Sequence, residues 1–212
     1  MHQPIRLAVL LSGGGTTLQN LMDRIADGRL PARIVQVVSS RADAFGVERA
    51  KRAGLPVEVI ERRAFPDVVA YSTRVFGACR ASGADLVCMA GFLQLVQIPP
   101  DFTHRVMNIH PALLPAFGGK GMYGRHVHEA VLAYGSKVSG CTVHFVDQEY
   151  DHGPVILQRV VEVHDDDTPD SLGARVFAAE CEAYPEAIRL FANGLLRIEG
   201  RRVAHTDAQT PT

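Results

Sequence analysis

Asn108 and His110 stand two residues apart in Met107-Asn108-Ile109-His110-Pro111, at the end of an apolar run and just before a proline. An extended strand sends residues i and i+2 to the same side, so the amide and the imidazole would face one pocket while Ile109 faces a core. The Asn side chain offers two N–H donors for a developing oxyanion, and a His adds or removes a proton near neutral pH. That pairing suits acyl transfer. The structural alternative is Asn108 capping a turn and His110 as a satisfied, half-buried histidine. Asp151, in the polar turn from Asp147 to Pro154, is the natural carboxylate partner for His110. Its alternative is a solvated turn aspartate.

A second grouping, Ser12-Gly13-Gly14-Gly15-Thr16-Thr17, follows the apolar run from Ile5 to Leu11 and precedes a helical pattern from Leu18 to Ala26. Glycines at a strand-to-helix junction let backbone N–H groups approach an anion, and the helix dipole and the Thr16 and Thr17 hydroxyls add to the attraction. A phosphate fits here; the alternative is a tight turn that binds nothing. No Gly-Lys-Ser/Thr follows, which excludes a Walker A loop. Leu18 occupies the third glycine position of G-x-G-x-x-G, and the strand from Ile34 to Val38 ends in Ser39-Ser40 with no acid for a ribose, so NAD binding is disfavoured.

Three more features carry possible chemistry. Leu93, Gln94, Leu95 and Val96, in an apolar loop after a strand end, either line a pocket for a flat ring or form a buried turn. The stretch from Phe117 to Gly124 holds four glycines and reads as a mobile loop suited to a lid. His126 and His128 form an H-x-H pair, but at a helix start the two point apart and no acidic cluster stands near, so no metal site is expected. Glu180, on the last helix, either meets a substrate amine or faces water.

The elements that must position these residues alternate. After the first strand and helix come a strand from Ile34 to Val38, a helix from Phe45 to Ala53, and a strand from Val57 to Ile60. A helix from about Pro66 to Ala81 and strands from Asp85 to Ala90 and Arg105 to Ile109 follow. The alternation implies an α/β fold: a Rossmann-like, mostly parallel twisted sheet with helices on both faces. Ligands in such sheets bind beyond the carboxyl ends of the strands, which predicts that the loops Ser12 to Thr17, Gly91 to Val96 and His110 to Gly121 gather there. From Ser139 the pattern alternates, turns at Asp147 to Pro154 and returns from Val155 to Val163, predicting a C-terminal antiparallel hairpin. Thr168 as N-cap and Pro169 at the first position start a helix to about Ala192 with an adjustment at Pro185. The reading is one domain, residues 1–203, with a polar, disordered tail over 204–212.

Composition narrows the partners. The chain has 212 residues, 47% of them hydrophobic and 21% charged, and a net charge of −1, without the basic excess that sequence-independent nucleic-acid binding needs. Cys79, Cys88, Cys141 and Cys181 are widely spaced with no C-x-x-C pair, so they read as reduced, mostly buried thiols. Neither a signal peptide nor a membrane-spanning run is visible, and the expected location is cytoplasmic.

Taken in order, Ser12 to Gln19, Ala42-Asp43-Ala44-Phe45-Gly46, Ala90-Gly91-Phe92, Asn108 to Pro115, Val143 to Asp147 with Asp151 to Pro154, and Ala183-Tyr184-Pro185 resemble the phosphoribosylglycinamide formyltransferase family. The resemblance covers nearly the whole chain. It implies transfer of a formyl group from 10-formyltetrahydrofolate to the amine of glycinamide ribonucleotide, in purine synthesis, without a metal. Carried over, Asn108, His110 and Asp151 match the catalytic trio, with Asp151 favouring a protonated His110. Gly13, Gly14, Gly15, Thr16 and Thr17 match the ribonucleotide phosphate loop, and Glu180 the residue meeting the glycinamide end. Leu93, Gln94, Leu95 and Val96, with Asn108 and the turn Asp147, Gln148, Glu149, Tyr150 and Asp151, match the folate pocket. Thr16-Thr17 replaces the Ser-Asn of many members, Ala112 a Ser, and Val68 and Phe177 stand where members carry polar contacts. The implied partners are small molecules, with neither nucleic acid nor membrane, in a monomer or homodimer. The alternatives are formyltetrahydrofolate hydrolase, methionyl-tRNA formyltransferase, and a non-catalytic ligand-binding relative. The two enzymes carry an extra domain at one end, whereas this chain begins at its first strand and ends in a short tail. Binding alone does not require the trio.

Overall fold

The computed structural model describes residues 3–206. A first compact unit ends at Asn108 and a second begins at Ile109. In the first, the opening apolar run is β1 (Ile5–Leu11), and Leu7 to Leu11 have no exposed surface. A strand hidden on both faces needs a continuous apolar run rather than alternation, which is the pattern the sequence shows. The other strands of this unit are β2 (Ala32–Ser39), β3 (Val57–Val59), β4 (Leu86–Met89) and the start of β5 (Val106–His110). They pair in parallel in the order β3-β2-β1-β4-β5. Strand order therefore reverses between β1 and β4, where a doubly wound sheet opens a crevice.

Between these strands run α1 (Thr16–Ala26), α2 (Phe45–Arg52) and α3 (Val68–Ala81). α1 buries Leu18 and Leu21 at helical spacing, and α3 buries Tyr71, Val75, Phe76 and Cys79. α3 starts two residues later than the pattern predicts, because the Asp67 carboxylate caps it by accepting from Ala70 N at 2.8 Å. At the opposite end of the sheet Arg6 holds Asp85 through Nε at 2.9 Å and Nη2 at 2.6 Å. Both side chains are more than a third exposed, so the pair adds little to stability.

The second unit contains α4 (Arg125–Tyr134), β6 (Val138–Phe145), β7 (Val155–Glu162), α5 (Pro169–Ala192), β8 (Leu196–Glu199) and β9 (Arg202–His205). β6 and β7 form the expected antiparallel hairpin, with a register shift between Val143 and His144. α5 packs on β6, β7 and α4. Its start is a capping box: Thr168 Oγ1 accepts from Ser171 N at 3.1 Å while Ser171 Oγ accepts from Thr168 N at 2.9 Å. Pro185 sits inside α5 without ending it.

The β8–β9 hairpin differs from the expectation of a polar tail beginning at Ala204. Ala204 and His205 belong to β9, which pairs with β8 and, at Arg202, with Val155 of β7. His205 Nε2 also donates to Ile156 O at 2.8 Å. Four-residue strands carry little pattern of their own, and these become strands by pairing with each other and with a sheet edge already present. The rest of the expected tail, residues 207–212, lies outside the described residues. No helix among the described residues is long and apolar enough to cross a membrane.

Candidate active site

β5 ends at His110 because Pro111 cannot continue the ladder. Ile109 is buried, His110 is 3% exposed, and Asn108 is half-buried. The segment after β5 is tied to the hairpin. Thr142 Oγ1 donates to Ala112 O at 2.7 Å and accepts from Leu114 N at 3.0 Å, and Gln158 Nε2 donates to both Leu114 O and Thr142 Oγ1. A buried network with its members satisfied fixes the backbone that carries His110.

The structure brings His110 and Asp151 together. His110 Nδ1 lies 3.5 Å from Asp151 Oδ2, and both side chains are nearly enclosed. On the other side of the ring, His110 Nε2 donates to Phe117 O at 2.9 Å. Gly119 N donates to Asp151 Oδ2 at 2.9 Å. The first part of the glycine loop therefore grips both members of the pair. Phe117 and Asp151 reach these positions with positive φ, 53° and 52°, which for residues with a side chain is strain of the kind found at functional sites. Between them Gly118 passes so close that a Cβ would stand 2.5 Å from Leu114 and 3.3 Å from Asp151 Cβ.

His144 and the loop backbone complete the site, and the sequence reading gave neither a role. His144 is buried, its Nδ1 donates to Phe145 O at 2.8 Å, and its Nε2 stands 3.7 Å from Asp151 Oδ1. The available signal was its alternation with Thr142 in the strand. The contacts of Phe117 O and Gly119 N–H are backbone, which side-chain chemistry does not reveal.

The electrostatics follow from burial. Burial pushes the His110 pKa below its ordinary 6.5, outweighing Asp151 and Phe117 O, which raise it, while His144 lowers it further. Asp151 thus favours the protonated imidazole, as its charge implies, while burial acts against it. Burial pushes Asp151 up, but the His144 hydrogen bond, the His110 charge and the Gly119 N–H together outweigh it and hold the carboxyl below its usual range. Glu180 is half-buried on α5, and desolvation alone pushes it up to about 7. His126 and His128 do point apart, since His126 is exposed beside Glu129 while His128 is buried.

In the first unit the glycine loop follows β1 as expected. Gly13 and Gly14 are exposed, and Gly15, with φ of 71°, is the N-cap of α1, so Thr16 and Thr17 are its first helical residues. A Cβ on Gly15 would stand 2.7 Å from Gly46 Cα. Arg49 was not anticipated: its Nε donates to Gly14 O at 2.9 Å and its Nη1 to Gln19 Oε1 at 3.1 Å, placing a guanidinium beside the loop. The loop from Gly91 to Val96 is joined to it, since Ser12 N donates to Gly91 O at 3.0 Å and Leu93 N to Ser12 Oγ at 2.9 Å. Phe92 and Val96 are buried there, Leu93 is exposed, and Gln94 and Leu95 are half-buried.

In the second unit the turn Asp147 to Asp151 projects Gln148, Glu149 and Tyr150 outward. Asp147 holds the turn by accepting from Glu149 N at 2.9 Å and lying 2.7 Å from His152 Nδ1. Arg201, between β8 and β9, donates to His152 O at 2.6 Å, so the unexpected hairpin braces this turn.

A family model described as formyl transferase matches residues 5–188. The chain belongs to the formyl transferase family. It is 41% identical over 192 residues to the chloroplastic phosphoribosylglycinamide formyltransferase of Arabidopsis thaliana, covering 88% of this chain and 66% of that protein. This chain thus spans just under two thirds of the plant relative. To the phosphoribosylglycinamide formyltransferase of Haemophilus influenzae it is 35% identical, covering 92% of this chain and 90% of that one. Among solved structures, glycinamide ribonucleotide transformylase 1 of Symbiobacterium toebii superposes with a TM-score of 0.90 at 46% identity, covering 98% and 96% of the two chains. As a member of the formyl transferase family the chain has the expected α/β fold, a mostly parallel open sheet with helices around it and a C-terminal antiparallel hairpin.

Proposed function

We propose that this protein transfers the formyl group of 10-formyltetrahydrofolate to the amine of N1-(5-phospho-D-ribosyl)glycinamide (GAR), giving formyl-GAR and tetrahydrofolate in cytoplasmic purine biosynthesis. The observation that carries the reading is a buried His110, 3.5 Å from Asp151, on the same strand as Asn108. The relatives named for this reaction support it. The GAR amine attacks the formyl carbon, forming a C–N bond and a tetrahedral oxyanion. The Asn108 amide is the donor for that oxygen, and His110, whose single N–H in the neutral form is given to Phe117 O, donates to it only by releasing that contact or by taking up a proton as charge develops. The amine gives up a proton towards the Asp151 carboxylate, the bond from carbon to N10 breaks, and N10 takes a proton as tetrahydrofolate leaves. The charge on oxygen is met by N–H donors, so the step as written needs no metal.

The ribonucleotide phosphate is assigned to Gly13, Gly14, Gly15, Thr16 and Thr17, where a guanidinium from Arg49 adds charge. The folate is assigned to Leu93, Gln94, Leu95 and Val96, to Asn108, and to the turn Asp147, Gln148, Glu149, Tyr150 and Asp151. Mixing the protein with 10-formyltetrahydrofolate and following the absorbance of the deformylated folate, with and without GAR, tests the reading. Product only with GAR is expected. Product without GAR would mark a hydrolase, and no product in either arm a binding protein.

Glu180 is assigned to the amine of GAR, where a carboxylate accepts and a neutral carboxyl does not. Its folded pKa of about 7 lies above the unfolded value, so the folded state binds the extra proton. Its stabilising effect is present below about pH 4.5 and lost as pH rises through 7. Activity should therefore climb as pH passes 7, and Glu180→Gln should be slower and lose that limb. The same variant should be more stable than wild type at pH 8, by on the order of 1–3 kcal/mol, but not at pH 4.5, read from thermal melts. A wild-type rate flat from pH 6 to 8 would remove Glu180 from the amine.

A further inference from the structure

Tyr134, the last residue of α4, is 81% exposed, yet its ring stands edge to face against that of Phe117, with centroids 5.9 Å apart and planes at 78°. Phe117 is the residue whose carbonyl accepts from His110 Nε2, and it does so with a backbone φ of 53°. Outside glycine that conformation is unfavourable, so it persists only where the surroundings hold it. The close pass of Gly118 and the bond from Gly119 N to Asp151 fix the chain after Phe117. The ring of Phe117 is met by Tyr134.

The helix under Tyr134 is anchored. Val127, His128 and Val131 are buried, and Gly173 on α5 makes room for the His128 ring, since a Cβ there would stand 3.0 Å from His128 Cδ2. Arg125, in the first turn of α4, pairs with Asp170 of α5. Gly135, with φ of 78°, ends the helix directly after Tyr134. Tyr134 is thus presented by a packed helix to a glycine-rich loop, whose backbone freedom such a contact restricts.

We propose that Tyr134 is a positioning residue for the formyl transfer, packing on Phe117 so that the Phe117 carbonyl keeps the His110 ring turned with Nδ1 towards Asp151. A carbonyl on one ring nitrogen sets both the tautomer and the ring plane of a histidine, and the other nitrogen then faces its partner. When Phe117 relaxes to negative φ, its carbonyl swings away and the imidazole loses that guide. The proposal rests on His110 as the group that answers the developing oxyanion. Tyr134 touches neither substrate, and its effect passes through the loop backbone.

Tyr134→Ala is expected to lower kcat about five-fold with the KM for both substrates unchanged, an aromatic pair being worth about that factor. Tyr134→Phe should keep the wild-type rate, because the ring and not the hydroxyl makes the contact. His110, its resonance identified by its loss in His110→Ala, should take up its proton at lower pH in Tyr134→Ala, since the Phe117 carbonyl is one of the influences that raise it. Asp151 and His144 beside it and His128 on α4 are the other titratable groups facing His110, and neither variant alters them. A general loosening of α4 is separated by a second background. Phe117→Gly keeps positive φ without strain and has no ring, so there Tyr134→Ala should cost nothing further. A kcat for Tyr134→Ala at or above that of wild type would overturn the proposal, as would an unmoved His110 titration or an equal loss in the Phe117→Gly background. Absence of formyl transfer by wild type would instead overturn the proposed function. The His110 titration then decides the contact by itself: a shift in Tyr134→Ala that is absent in Tyr134→Phe supports it, and no shift ends it.

Discussion

His110→Ala is expected to lower kcat by about 10³-fold, a loss of roughly 4 kcal/mol of transition-state stabilisation, while the KM values for both substrates change little. The imidazole is buried, which favours its neutral form, and its one N–H is then given to Phe117 O, so it contributes to the formyl oxygen only as the oxyanion forms and draws a proton from the ring. An interaction of that kind appears in kcat rather than in KM. Asn108→Ala should show the same signature, and the double variant should fall well short of the product of the two losses, because both side chains serve one oxygen. Truncating a 3%-exposed histidine also leaves a small cavity and an unpaired Phe117 carbonyl, so thermal melts must accompany the kinetics. A folded His110→Ala protein within about ten-fold of the wild-type rate would show that the imidazole does not meet the oxyanion.

The site was legible where its chemistry depends on residue type and short spacing. The strand period predicts a shared face for Asn108 and His110, and Pro111 marks where the strand ends. Asp151 could be proposed as partner only as the acid in a polar turn. What joins it to His110 is the hairpin pairing of β6 with β7, together with the close pass of Gly118 and the hydrogen bond from Gly119 N, which lie 32 or more residues before Asp151 in the chain. The balance of influences on His110 has the same origin. A neighbouring carboxylate can be read from a motif, but the burial that outweighs it cannot.

The fold was legible where strands are buried on both faces or alternate cleanly, as in β1 and β6, and where caps are spelled out, as at Thr168-Pro169. It failed at β8 and β9. Their residues, Leu196–Glu199 and Arg202–His205, are half-exposed or exposed and gain strand geometry from each other and from β7. Arg49 escaped notice because a basic residue in the last turn of α2 reads as ordinary dipole compensation, and only the fold sets its guanidinium against Gly14 O.

Asp151→Asn should cost about 10²–10⁴-fold in kcat while leaving the fold nearly untouched. Asparagine keeps an oxygen for Gly119 N and tolerates the positive φ of 52° that the position demands. What disappears is the negative charge, and with it both the acceptor for the amine proton and one of the two influences that hold the His110 pKa up against burial. His110 in the variant should then take up its proton at a still lower pH than in wild type, measurable by titrating the imidazole resonances. The stability consequence has the opposite sense from that of Glu180. Asp151 has a depressed folded pKa, so its contribution is present above the ordinary carboxylate range and is lost as pH falls through the folded value. Wild type should thus lose stability as pH falls below about 4 more steeply than Asp151→Asn, which has no carboxylate to protonate there. If the rate fell with no change in the His110 titration, Asp151 would act on the amine proton alone. If the imidazole shifted while the rate held, the carboxylate would be a tuning charge and the proton acceptor would have to be sought elsewhere.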